Sequence, residues 1–169
     1  APQRTRRSQR KRKQALRLKE RHKVVWDEGI RFMGVNGRKG TAEAIPERVN
    51  ELSRVVVDAA LRVHRELGAG LLESVYEVCL CEELRSRGLA VERQIKLPIH
   101  YLGKELDADL RLDLLVEDAL IIELKSVDSI LPVHEAQLLT YLKLTRRRLG
   151  LLINFNVPLI KEGIRRLAL

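Results

Sequence analysis

The chain has little of what several functional classes require. Only two of its 169 residues are cysteine, and aromatic residues make up 4%. Cys79 and Cys81 stand two apart in a helical pattern, so their side chains diverge and no disulfide framework can be built from them. Reduced thiols and a cytoplasmic location are the expectation. No apolar run approaches the roughly 18 residues that a membrane span needs. The basic start has no apolar stretch of the kind a secretory signal carries. Acid is scarce in one place: residues 1–24 hold eleven Lys or Arg against the single Glu20, so they carry +10 of a total of +9 and leave the remainder at −1. The positive charge therefore belongs to a tail and not to the folded part.

A block of that kind is usually solvated and can bind polyanions through phosphate contacts. Residues 1–45 are accordingly expected to be a basic, disordered tail, and 46–169 the folded domain. The segment Gly34-Val35-Asn36-Gly37-Arg38-Lys39-Gly40-Thr41 is glycine-rich but lacks the Gly-Lys-Ser/Thr ending of a phosphate loop, and it reads as a linker.

From Pro46 onward the apolar residues Val49, Leu52, Val56, Ala59, Val63 and Leu67 recur at spacings of three and four, which predicts a helix ending at Gly68. A second helix is expected from Leu71 to about Arg87, burying Leu72, Val75, Cys79 and Leu80. Strands are expected over Leu89–Tyr101, Asp109–Val116 and Leu120–Val127. A third helix should run from Pro132 to about Arg148, followed by a buried strand over 149–155 and a short closing element from Ile160. The order α-α-β-β-β-α-β predicts an α/β sandwich around a mixed sheet.

Within the central strands, Asp113, Glu123 and Lys125 interrupt runs of Leu, Ile and Val. A charge in such a run is costly unless it is paired, exposed or bound to a cation. A two-residue turn at Glu117-Asp118 would oppose Asp113 to Ile122 and mix charged with apolar residues on both faces. A three-residue loop, Glu117-Asp118-Ala119, instead pairs Val116 with Leu120, Leu114 with Ile122 and Leu112 with Leu124, an all-apolar face. The other face then carries Asp113 opposite Glu123 and Arg111 opposite Lys125. Because a one-residue slip exchanges faces, the hydrophobic pattern selects the second register. Glu-x-Lys alone is weak, since it recurs by chance roughly once in a few hundred positions. A surface ladder of ion pairs is the competing explanation.

Two further groups are ambiguous when read from their residues alone. Glu73, in the first turn of the second helix, suits the helix dipole whatever else it does, and Tyr76 one turn later suits a core. On the third helix His134, Gln137 and Tyr141 share a stripe at i, i+3 and i+7, which a solvated face would also explain. Arg146-Arg147-Arg148 complements the dipole at that helix's end.

Taken together, Gly70-Leu71-Leu72-Glu73-Ser74-Val75-Tyr76, Asp113, Glu123-Leu124-Lys125 and His134-Glu135-Ala136-Gln137-Leu138-Leu139-Thr140-Tyr141 closely resemble the GxxExxY proteins, a bacterial family within the PD-(D/E)XK nuclease superfamily. The resemblance covers residues 48–169; the basic first 45 fall outside it. It implies a restriction-endonuclease-like α-β-β-β-α-β core with a mixed central sheet, preceded by an extra N-terminal helix. It also implies a Mg²⁺- or Mn²⁺-dependent nuclease, with nucleic acid, DNA first, as partner. By the same resemblance Asp113 and Glu123 would be metal ligands assisted by the Leu124 carbonyl, and Lys125 would stand beside the attacking water. Glu73 would match the first-helix acid and Gln137 and Tyr141 the third-helix polar positions, with Tyr76 and His134 helping to position substrate. Leu112, not proline, precedes Asp113, and many members of the superfamily lack that proline. A non-catalytic nucleic-acid-binding or accessory protein that keeps the fold is the alternative, favoured by the near-neutral folded part.

Overall fold

A computed structural model of the chain describes residues 44–106 and 108–169. The expected basic tail and the glycine-rich linker at 34–41 lie outside the described residues, apart from residues 44 and 45. Helix α1 spans Glu47–Leu67 and buries Leu52, Ser53, Val56, Ala59, Ala60 and Val63, the stripe its spacing implies, while Leu67 at its end stays partly exposed.

Helix α2 spans Glu73–Ser86 and buries Leu80 as expected, but its inward face is otherwise rotated from the expected one. Tyr76, Glu77, Leu80, Cys81 and Leu84 are buried, whereas Leu72 and Val75 are exposed and Cys79 is half-buried. The reason is the largest apolar surface on the helix. Tyr76 stacks on Phe155 with ring centroids 4.5 Å apart and planes 10° from parallel. An aromatic ring buries far more area than Val75 would in the same place, and so sets the rotation.

The five-stranded sheet has the order β1-β4-β5-β6-β7, from β1 (Val91–Lys96), β4 (Arg111–Val116), β5 (Leu120–Lys125), β6 (Leu149–Asn154) and β7 (Ile164–Ala168). Between β1 and β4 a separate hairpin is formed by β2 (Ile99–Tyr101) and β3 (Lys104–Leu106). The single strand expected over 89–101 is thus divided at Leu97-Pro98, since proline has no N–H to give to a ladder. Strands β4 and β5 run antiparallel with Val116 opposite Leu120, Leu115 opposite Ile121 and Leu114 opposite Ile122. That is the register of the three-residue loop. Glu117 and Asp118 turn the chain with φ of 52° and 54°, and the Ala119 N–H donates to the Val116 carbonyl at 3.0 Å.

Helix α3 (Pro132–Thr145) connects β5 to the parallel β6 and ends three residues before the expected Arg148, at the left-handed Arg146. Arg147 does more than complement a dipole: its Nε donates to the Asp118 carbonyl at 3.0 Å and its guanidinium pairs with the Asp118 carboxylate. It thereby fastens the β4–β5 turn. The closing element is a single helical turn, α4 (Ile160–Gly163), leading into the edge strand β7. The apolar residues of α1 and α2 cover one sheet face with Leu114, Ile122, Leu124 and Ile153, and α3 covers the other with Ile121 and Leu152. Among the described residues no helix is long and apolar enough to cross a membrane.

Gly163 ties α4 to the end of β6. A Cβ placed there would stand 2.2 Å from the Asn154 carbonyl oxygen and 3.0 Å from Val157. Because the nearer obstacle is backbone, Gly163→Ala should cost at least about 2 kcal/mol of stability in a denaturant titration. Gly150→Ala should cost less, since its nearest neighbour is the end of the flexible Leu138 side chain.

Candidate active site

The site forms where β4 and β5 part. Their pairing holds from Val116 to Leu114 and then stops, while β5 continues alongside β6 as far as Lys125 opposite Asn154. Beyond the parting the Leu124 N–H donates to Asp113 Oδ2 at 2.8 Å, so a side chain takes the place of a strand carbonyl. The pairs expected beyond that point, Asp113 with Glu123, Leu112 with Leu124 and Arg111 with Lys125, do not form. Leu112 does not share a face with Leu114; it packs with Leu115 and Ile121 in the layer under α3. Face alternation holds only while a ladder is regular, and at Asp113 it is not.

Glu123 is 2% exposed, a carboxylate in the middle of an apolar strand. Its Oε1 accepts from Lys125 Nζ at 2.6 Å, and its Oε2 is buried with no hydrogen-bond partner. Burial, and then the charge of Asp113, push its pKa up to about 7. Burial likewise lifts Asp113 to about 6, although the Leu124 N–H and Lys125 pull it down. Burial works against the Lys125 ammonium as well, but the charge and hydrogen bond of Glu123, with the charges of Glu73 and Asp113, outweigh it and leave its pKa raised. Lys125 is therefore held in its charged form. With Glu73, whose charge acts on all three, the cluster holds three carboxylates and one ammonium and is formally anionic.

Glu73 opens α2, and its charge bears on Asp113, Glu123 and Lys125. The loop before it is tightly held. The Tyr76 hydroxyl donates to the Gly68 carbonyl at 2.7 Å and accepts from the Leu71 N–H at 3.1 Å, while Ser126 Oγ, just past Lys125, donates to the Leu71 carbonyl at 2.6 Å. Asn154 fastens the end of β5, donating to the Val127 carbonyl and accepting from its N–H. From α3, Gln137 Nε2 donates to the Tyr141 hydroxyl at 2.8 Å. Burial raises the Tyr141 pKa, the Gln137 bond opposes this, and the charges of Glu123 and Asp113 add to the rise.

Could the residues present hold a cation? Among the described residues no group of three or more His, Cys, Asp or Glu side chains is arranged to hold a metal ion unaided. A hard cation such as Mg²⁺, however, is usually bound through one or two carboxylates with several waters kept. The orphaned Glu123 Oε2, buried beside a second carboxylate, is an acceptor that such an ion would satisfy. The donor set fits.

A family model described as the PD-(D/E)XK nuclease superfamily matches residues 50–167, most of the chain. The chain belongs to the PD-(D/E)XK nuclease superfamily. Its mixed five-stranded sheet with flanking helices has the architecture of that superfamily's core. Membership suggests nuclease activity in general and nucleic acid as the substrate class. No curated protein and no solved structure gives a match.

Of the residues singled out in the sequence, Asp113, Glu123 and Lys125 come together, Glu73 and Tyr141 stand close enough to couple to their charges, and Gln137 is bonded to Tyr141. Two do not join them. Tyr76 is fully buried against Phe155 and fastens the Gly68–Leu71 loop. His134 Nδ1 accepts the Leu131 N–H at 3.1 Å at the start of α3, a capping bond that accounts for it. Glu77 and Asn154 were not anticipated. Both are buried polar residues, and Glu77 lies on the inward stripe of α2 one turn after Glu73. A charge on an apolar stripe was the available signal, hidden because α2 was expected to bury its other face. Tyr76→Phe should remove both loop bonds and lower stability by about 1–3 kcal/mol in thermal unfolding, as expected when a buried donor and acceptor lose their partner.

Proposed function

We propose that this chain is a Mg²⁺- or Mn²⁺-dependent nuclease that hydrolyses phosphodiester bonds in nucleic acid, DNA first, and that it is one of the GxxExxY proteins. One observation carries the reading: the buried, partnerless Glu123 Oε2 in an anionic cluster beside Asp113 and the charged Lys125. Asp113 and Glu123, with the Leu124 carbonyl, would hold the cation. When bound, the ion would polarise the phosphoryl group and lower the pKa of a coordinated water. Lys125, kept charged by its neighbours, is suited to orienting water and balancing charge that develops on phosphate oxygens. It is poorly suited to act as a base, because a general base needs a pKa near the working pH. Glu73 adds a third carboxylate from α2, and Gln137 bonded to the buried Tyr141 would add polar groups from α3.

The basic tail, residues 1–45, would supply phosphate contacts that the near-neutral domain lacks. Removing residues 1–24 should leave the melting temperature nearly unchanged and flatten the dependence of nucleic-acid binding on log[salt]. A fall in melting temperature on truncation would make the segment part of the fold. The deciding experiment incubates the chain and Asp113→Asn with single- and double-stranded DNA and RNA, with Mg²⁺ or Mn²⁺. Cleavage by the wild type alone supports the nuclease. Binding without cleavage by either would favour an accessory protein that keeps the fold.

A further inference from the structure

Gln94 has a backbone that a strand does not favour. It lies inside β1 with φ of 50°, a region that side chains other than glycine enter at an energetic cost. What holds it there is a buried carboxylate. Glu77, 6% exposed, accepts from Gln94 Nε2 at 2.7 Å with one oxygen and from Arg93 Nε at 2.7 Å with the other. Both bonds involve charge and are short, the kind able to hold an unfavourable backbone.

The residue that would lie across from Gln94 is Asp113. Pairing between β1 and β4 runs Val91 with Val116, Glu92 with Leu115 and Arg93 with Leu114, then resumes at Ile95 with Leu112. The pair left out is Gln94 and Asp113. On either side of the gap the ribbon faces opposite layers. Val91 and Leu114 pack under α1 and α2, and Ile95 and Leu112 pack under α3. Residues two apart in a regular strand share a face, so the ribbon must turn over at Gln94 and Asp113. On its other edge β4 has also left β5, and Asp113 Oδ2 has taken the Leu124 N–H. Asp113 thus stands where the ladder is open on both sides.

We infer that Glu77 and Gln94 are positioning residues for Asp113: the buried carboxylate holds Gln94 in the left-handed conformation, the ribbon turns over there, and the Asp113 carboxylate is freed from strand alternation to meet Leu124 and a cation beside Glu123. This rests on the metal-dependent reading above. Continued regularly, the register of β4 with β5 would set Asp113 across from Glu123 but would not give its carboxylate the Leu124 N–H. A device is needed on the β1 side, and it lies one turn beyond Glu73 on the same helix.

The test measures Mn²⁺ affinity of the full chain by calorimetric titration, with thermal unfolding to confirm that each variant folds. Gln94→Val cannot easily take a positive φ, and should restore a regular strand and weaken Mn²⁺ binding about tenfold or more, the usual effect of losing an outer-sphere support. Gln94→Gly enters that conformation freely and should bind within about threefold of wild type. Glu77→Ala should weaken binding about tenfold, and adding Gln94→Gly to it should recover most of the loss, because glycine does not need to be held. A merely structural salt bridge between Glu77 and Arg93 would show no such rescue. If Gln94→Val does not fold, the Glu77→Ala pair decides. Wild-type affinity in Gln94→Val, or no recovery in the double variant, overturns the inference alone. Absence of Mn²⁺ binding by the wild type overturns the metal reading and this inference with it.

Discussion

Asp113→Asn is expected to abolish metal-dependent cleavage while leaving the metal-free protein at least as stable as the wild type. Asparagine keeps an oxygen that can accept the Leu124 N–H now received by Asp113 Oδ2, so no buried donor is stranded. It removes a charge that burial disfavours and that in turn pushes up Glu123. The displacement of Asp113 from 3.8 to about 6 corresponds to a penalty of about 3 kcal/mol on the ionised form. Relief of part of it, about 1–2 kcal/mol at pH 8, would raise the melting temperature by about 2–4 °C per kcal/mol in a domain of this size. Lewis-acid stabilisation by a bound cation is worth several kcal/mol, so its loss should lower the cleavage rate by about 10²–10⁴-fold. Mn²⁺ should raise the melting temperature of the wild type and not of Asp113→Asn. If the pair were only part of a surface ion-pair ladder the signs would reverse: Asp113→Asn would lose modest stability and the response to metal would not change. Calorimetric scans of both proteins with and without Mn²⁺ separate the two without knowledge of the substrate.

The second large effect is on pH. In the metal-free protein Asp113 and Glu123 both have folded-state pKa values above the ordinary ones, about 6 against 3.8 and about 7 against 4.5. The folded state therefore prefers them protonated. Their contribution to stability is fully present below about pH 4 and is lost as pH rises through 6 and 7. The melting temperature should fall across that window, with a loss on the order of 3 kcal/mol for each carboxylate taken alone. Cations bind the ionised carboxylates, so stabilisation by Mn²⁺ should grow over the same interval and oppose the fall. In Asp113→Asn combined with Glu123→Gln the slope contributed by these groups should vanish, together with the metal response. A double variant that kept the wild-type slope would place its origin elsewhere.

Much of the site was legible because burial is expensive for charge. Asp113, Glu123 and Lys125 stand out from Leu, Ile and Val whatever the fold, and sorting apolar residues onto one face selects the Leu114–Ile122 register without a structure. The helix-forming spacing of α1 was equally plain. What failed was where a pattern had two solutions of similar hydrophobicity. Around α2, Val75 and Cys79, with Leu72 just before it, lie on one side and Tyr76 and Leu84 on another, Leu80 being inward in both, and the Phe155 ring decides between them. Phe155 reaches that place from the far end of β6, through a contact that no local window contains.

The amino-acid order by itself determined which strands carry the charged residues, the loop that pairs those strands and the near-neutrality of the chain after its basic first 24 residues. These follow from local periodicity and from the cost of burying charge. Tertiary structure alone decided that α2 turns Tyr76 and Glu77 inward, that Leu112 changes layers, and that Asp113 leaves the ladder to meet Leu124. Each of these depends on a partner distant in sequence, Phe155 for the helix and Glu77 for the strand. Strand alternation is a rule about regular backbone, and the candidate site lies where that regularity breaks.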